Sequence, residues 1–177
     1  HPTLPSLQVN TLSFSPDGAL LASGGMDKRV LIWDSISGLP LAELRQDDYV
    51  MVLAFAPPPA GGALRLAVGG GDKRVTLWEV TRVVAPAEGP AAAIESSKLS
   101  ELPHGGTVYA LCFSPDGALV ASGGADKRVV LWSVAKGSML CEATSDTSVK
   151  VVLAFSRSGT AYMPLPTPAT NHACLLT

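Results

Sequence analysis

Apolar residues fall in short runs along this chain, broken by turn signals and without the spacing of an amphipathic helix. Val9 to Phe14 (VNTLSF) reads as a strand, and Ser15-Pro16-Asp17-Gly18 closes it. Proline presets φ for a turn, aspartate bonds nearby backbone and glycine tolerates positive φ, so this tetrapeptide should reverse the chain. Leu20 to Ser23 then returns as a second strand. Gly24-Gly25-Met26-Asp27 makes another tight turn, and Val30 to Trp33 is β-branched and aromatic enough for a third strand. Leu41 to Leu44, more polar, is expected as a fourth strand on an outer edge.

This set of four recurs. Ser15 to Trp33 (SPDGALLASGGMDKRVLIW) returns almost unchanged as Ser114 to Trp132 (SPDGALVASGGADKRVVLW), 99 residues later. Between them Leu66 to Trp78 (LAVGGGDKRVTLW) is a third copy, Asp72 and Trp78 matching Asp27 and Trp33 at an offset of 45. Val50 to Phe55, Leu64 to Val68 and Val75 to Trp78 repeat the first three strands, with the first turn enlarged to APPPAGGA at Ala56 to Ala63. Val108 to Phe113, Leu119 to Ser122, Val129 to Trp132 and Met139 to Ala143 form the most complete unit, and Lys150 to Phe155 starts another. A unit of this length cannot bury its apolar surface alone and must stack on copies of itself.

The period breaks once. Trp78 to Phe113 is 35 residues where Trp33 to Phe55 is 22, so about 13 are inserted. The insert, roughly Thr81 to Ser97, is rich in Ala, Pro and Gly and is expected to be a surface loop, with a helical turn at Ala91 to Glu95.

A hydrophobic content of 47% against 16% charged residues fits strands buried on both faces. The net charge of −2 gives no global reason for a nucleic acid or an anionic membrane as partner. The uncharged run from Val50 to Leu64 is broken by Pro57, Pro58 and Pro59 and is too short to span a bilayer, so no transmembrane helix is expected. Cys112, Cys141 and Cys174 contain no C-x-x-C pair, and Cys112 lies in an apolar strand pattern where a buried, reduced thiol is expected; this reads as an intracellular protein. The chain starts with His1 and lacks a signal-peptide pattern, which reads as a fragment whose true N-terminus is not in view.

Four-stranded units with a Gly-rich turn ending in Asp and a third strand ending in Trp33-Asp34, Trp78-Glu79 or Trp132-Ser133 resemble WD-repeat β-propellers. The fold class implied is all-β: three recognisable four-stranded blades plus the start of a fourth, an incomplete or partial propeller. Within one array over 1–177, the blades are expected at about 8–44, 46–102 with the inserted loop at 81–97, 104–143, and a partial one at 146–160. The Pro-containing tail at 161–177 is expected to be poorly ordered.

The resemblance also implies a structural hydrogen-bond network of His, Ser, Asp and Trp. The third unit has all four, His104, Ser122, Asp126 and Trp132. The first keeps Ser23, Asp27 and Trp33 with Pro5 at the His position; the second keeps Asp72 and Trp78 with Gln46 and Val68 at the others. His104, Ser122 and Asp126 are also the residue types of a hydrolase triad. Ser122 lacks a G-x-S-x-G elbow, however, and a hydroxyl on a buried strand would not meet substrate, so no catalytic role is assigned. The Gly-Gly-x-Asp turns lack the spacing and the following helix of a phosphate cradle.

Lys28-Arg29, Lys73-Arg74 and Lys127-Arg128 recur at one place in each unit, so stacking would line three basic pairs along one rim. They are the candidate site for an acidic or phosphorylated ligand. His1, His104 and His172 do not form a metal-ligand pattern, and no metal or cofactor is assigned. The expected function is a non-catalytic protein–protein interaction scaffold in a multi-subunit assembly, intracellular and cytoplasmic. Other proteins are its expected partners, with self-association or missing blades to close the propeller; nucleic acid is not expected. The alternatives are the regulatory or substrate-recruiting part of a larger enzyme, or binding of an acidic ligand on the basic rim.

Overall fold

The structure, a computed structural model, describes residues 8–57, 63–83, 93–149, 154–155, 161–164 and 173–176. Its strands are β1 (Val9–Phe14), β2 (Leu20–Gly25), β3 (Arg29–Asp34), β4 (Pro40–Arg45), β5 (Val50–Phe55), β6 (Leu64–Gly70), β7 (Arg74–Val83), β8 (Ala93–Pro103), β9 (Val108–Phe113), β10 (Leu119–Gly124), β11 (Arg128–Ser133) and β12 (Ser138–Thr144), followed by β13 (Ala154–Phe155), β14 (Ala161–Pro164) and β15 (Ala173–Leu176). They form three four-stranded antiparallel sheets, β1–β4, β5–β8 and β9–β12, and one three-stranded sheet, β13–β15.

Each sheet is a blade whose apolar face is completed by the next. Alternation along β2 and β3 aims Ala22, Val30 and Ile32 at the second blade, where Leu53, Phe55, Leu66 and Val68 meet them in one core. The opposite face of the second blade does the same to the third, with Ala67, Val75, Leu77 and Leu102 packed against Val108, Leu111, Val120 and Trp132. A smaller cluster joins the far face of the third blade, at Ala121 and Val129, to Val149 and Phe155. The innermost strands β1, β5 and β9 contact one another in turn, while β4, β8 and β12 lie outermost.

Two turns repeat with the strands. In Ser15–Gly18 and Ser114–Gly117 the glycine adopts φ of 71° and 68°, and Ser15 and Ser114 bond the aspartate two residues on as well as the returning strand. In the hairpins β2–β3, β6–β7 and β10–β11, the residue after the aspartate is left-handed: Lys28, Lys73 and Lys127 have φ of 63°, 62° and 63°. That is the geometry of a three-residue hairpin loop, a turn followed by one left-handed residue.

Two expectations need correcting. The insertion is largely strand at its ends: β7 runs on to Val83, β8 begins at Ala93, and Val83 pairs with Ala93. Ladder pairing satisfies every other backbone group there, which the composition did not advertise, and it places residues 93–95 of the expected helical turn in a strand; residues 84–92 lie outside the described residues. In the tail, 161–164 pairs with 173–176 as antiparallel strands, Ala161 opposite Leu176 and Met163 opposite Cys174; residues 165–172 and 177 lie outside the described residues. Cys112 is half-buried rather than buried.

Candidate functional site

The third blade assembles its four network residues from four places along the chain. His104 follows β8, Ser122 lies in β10, Asp126 in the β10–β11 turn and Trp132 near the end of β11. The indole Nε1 of Trp132 donates to Ser122 Oγ at 2.7 Å; His104 Nε2 lies 2.9 Å from the same oxygen, and His104 Nδ1 lies 2.7 Å from Asp126 Oδ2. Protons on the indole, the Ser122 hydroxyl and His104 Nδ1 satisfy all three contacts in one direction, from indole to carboxylate. Asp126 also accepts from the backbone N–H of Gly105 at 2.8 Å and of Arg128 at 3.2 Å. Burial opposes ionisation of Asp126, but these hydrogen bonds outweigh it and hold the carboxyl below its ordinary value. Ser122 is fully buried and its hydroxyl is committed to the network, so it faces no substrate.

The first blade keeps half of this. Trp33 Nε1 donates to Ser23 Oγ at 2.8 Å, while the guanidinium of Arg29 takes up Asp27 at 3.0 Å. Pro5, at the His position, lies outside the described residues. The second blade has lost the chain of contacts. Val68 offers no acceptor to Trp78, whose Nε1 is buried without a partner, as is Nε2 of Gln46. Gln46 does occupy the His104 place: its backbone N–H bonds Lys28 O as that of His104 bonds Lys73 O, both at 2.8 Å. Among the described residues Asp72 keeps only the Arg74 N–H, at 3.2 Å. Burial, assisted by the carboxylates of Asp47 and Asp48, raises its pKa.

The basic pairs do lie at one end of the blades, at the β2–β3, β6–β7 and β10–β11 hairpins, but their arginines are engaged. Arg29 pairs with Glu43 at 3.5 Å, Arg74 with Glu101 at 2.9 Å and Arg128 with Glu142. Each glutamate sits on the fourth strand of the same blade. Arg74 also reaches Asp47 at 3.7 Å, and Lys28 reaches Asp48 at 3.3 Å. Lys73 and Lys127 are exposed. Sequence reading missed the glutamates, although a signal existed. The Arg-to-Glu separations are 14, 27 and 14, and the excess in the second blade is the 13 residues of the insertion.

Four-stranded antiparallel blades that bury one another's faces define a propeller-type repeat protein. The chain belongs to the WD-repeat family: the description "WD domain, G-beta repeat" matches residues 2–34 and 96–133. Among curated proteins it is 28% identical over 126 residues to the small ribosomal subunit protein RACK1 of Drosophila melanogaster, covering 71% of this chain and 37% of that one. It is 32% identical over 146 residues to a periodic tryptophan protein 2 homolog of Schizosaccharomyces pombe, covering 75% and 16%. To WD repeat and SOCS box-containing protein 1 of Takifugu rubripes it is 29% identical over 136 residues, covering 76% and 29%. The chain thus spans well under half the length of each of these relatives. WD-repeat domains generally serve as non-catalytic surfaces for protein interaction. Among the described residues no helix is long and apolar enough to cross a membrane.

Proposed function

We propose that the chain is a non-catalytic protein–protein interaction scaffold within a multi-subunit assembly, and that its first blade docks a further blade of the same kind. One observation carries this reading. Leu12 and Phe14 are 62% and 61% exposed, whereas Leu53 and Phe55, at the same places in the second blade, are 6% and 9% exposed beneath their neighbour. An open apolar face that two sister blades keep covered calls for an equivalent cover. The occupant would present small and β-branched residues like Ala22, Val30 and Ile32, which cover the second blade. One relative is named as a ribosomal subunit protein, a component of a larger assembly, which supports the assembly reading and a cytoplasmic setting.

Light scattering on the 177-residue chain tests the docking face. Association at micromolar concentration is expected, and Leu12→Glu with Phe14→Glu should hold the chain monomeric. A wild-type chain that stays monomeric, or a variant that assembles equally well, rejects the face as the contact.

A second reading, the recruiting part of a larger regulatory protein, is favoured by the relative whose name joins WD repeats to a SOCS box. A ligand on the rim of basic pairs finds less support, because each rim arginine already holds a carboxylate.

A further inference from the structure

The cleft between the second and third blades, at the end of the strands opposite the basic pairs, differs from its counterpart between the first and second in one decisive way. Each of these two clefts is lined by the second-strand residue that pairs with the end of the third strand. Leu20 pairs with Asp34 and Arg65 with Glu79, while in the third blade Leu119 pairs with Ser133. Two of the three blades carry leucine at this place; the second carries arginine. Yet Arg65 makes no ion pair among the described residues, and its Nε is buried without a partner.

Other groups follow the same logic. In the first cleft, Arg82 from the following blade closes onto Asp34. Lys136 and Glu79 stand in the corresponding places of the second cleft and form no ion pair among the described residues. The cleft they line with Arg65 and Ser100 has a volume of about 240 Å³. Ser100 Oγ is the second buried polar atom there without a partner. The β11–β12 turn presses against it: Gly137 is left-handed at φ 59°, and a Cβ added there would lie 3.2 Å from that of Ser100. The cleft therefore offers an unpaired guanidinium, an unpaired hydroxyl and an exposed ammonium against one carboxylate.

We infer that this cleft binds the phosphoryl group of a phosphorylated serine or threonine on a partner peptide. Three acceptor oxygens and close to two negative charges match a planar guanidinium fork, a hydroxyl and an ammonium. Two cations against one carboxylate leave the cleft net positive, and a doubly charged group gains about twice as much from that balance as a singly charged carboxylate. The inference deepens the scaffold reading by naming what is recognised, and it stands apart from the docking face on the first blade.

Titration of the isotopically labelled chain, followed by NMR, tests it. The probes are inorganic phosphate, an acetyl-Ala-phosphoserine-Ala-amide peptide, and the same peptide with serine or glutamate. Phosphate and the phosphopeptide are expected to shift the Ser100 and Gly137 amides saturably, with the serine and glutamate peptides at least tenfold weaker. Arg65→Leu installs the residue of both sister blades and should weaken phosphopeptide binding at least tenfold with the thermal midpoint preserved. Ser100→Ala should weaken it severalfold, and Arg74→Leu on the rim should leave it unchanged. Equal binding by wild type and Arg65→Leu, no preference for the phosphopeptide, or shifts that do not saturate would each overturn the assignment. Failure here leaves the light-scattering result untouched, and the reverse also holds.

Discussion

Val68 stands ten residues before Trp78, where Ser122 stands before Trp132, and that difference leaves the Trp78 indole N–H buried without an acceptor. A buried unpaired donor costs on the order of 1–3 kcal/mol. The neighbouring Gln46 Nε2 is stranded as well.

Restoring the missing partners should therefore be cooperative. Val68→Ser alone loses buried methyl groups and is expected to be neutral or mildly destabilising. Combined with Gln46→His, it should rebuild the chain of bonds to Asp72, with a favourable coupling of about 1–2 kcal/mol in a double-mutant cycle. Urea unfolding of the four proteins measures it; strict additivity would count against the network account.

The two turn aspartates should respond to acid with opposite signs. Asp126 has a depressed pKa, so its contribution is full above the unfolded value, about pH 4, and is lost as pH falls through the lower folded value. Asp72 has a raised pKa, so its charged form costs stability at neutral pH, and that cost is relieved as pH falls through the folded value. Asp126→Asn should accordingly destabilise at pH 7 and flatten the acid limb of stability against pH. Asp72→Asn should be neutral or stabilising at pH 7 and leave a steeper acid limb. Denaturation midpoints between pH 3 and pH 7 discriminate them.

Lys127 holds a left-handed backbone in the hairpin that presents Asp126. A β-branched residue is the least tolerant of that region, so Lys127→Val is expected to cost about 1–2 kcal/mol. Lys127→Gly relieves the strain but loosens the unfolded chain, and should fall within about 1 kcal/mol of wild type. Equal stability of the valine and glycine variants would show that the turn does not depend on this conformation.

Thiol chemistry should separate Cys112 from Cys141. Burial pushes the Cys112 thiol up to about 12, whereas Cys141 is exposed on β12. In a Cys174→Ser background at pH 8, iodoacetamide is expected to modify Cys141 and to reach Cys112 only after unfolding, as mass spectrometry of the labelled peptides would report.

Repetition made much of this protein legible before any coordinates. Ser15–Gly18, returning intact at Ser114, and Gly24–Asp27, returning at Gly123 with Ala125 for Met26, marked the turns, and the alternation between them marked the strands. These are local properties, set by φ preferences and by the two-residue period of a strand. Trp132 and Ser122 were likewise readable, because their spacing within one hairpin fixes their register. The glutamates of the fourth strand were not, since Arg74 and Glu101 meet only after the β7–β8 ladder has aligned them across the insertion. Arg65 looked like an ordinary strand residue until stacking set it against Ser100 and the β11–β12 turn of the next blade. The sequence by itself determined the blades; which polar groups go unpaired between them was decided by tertiary packing, because burial and partner geometry depend on surfaces far apart along the chain.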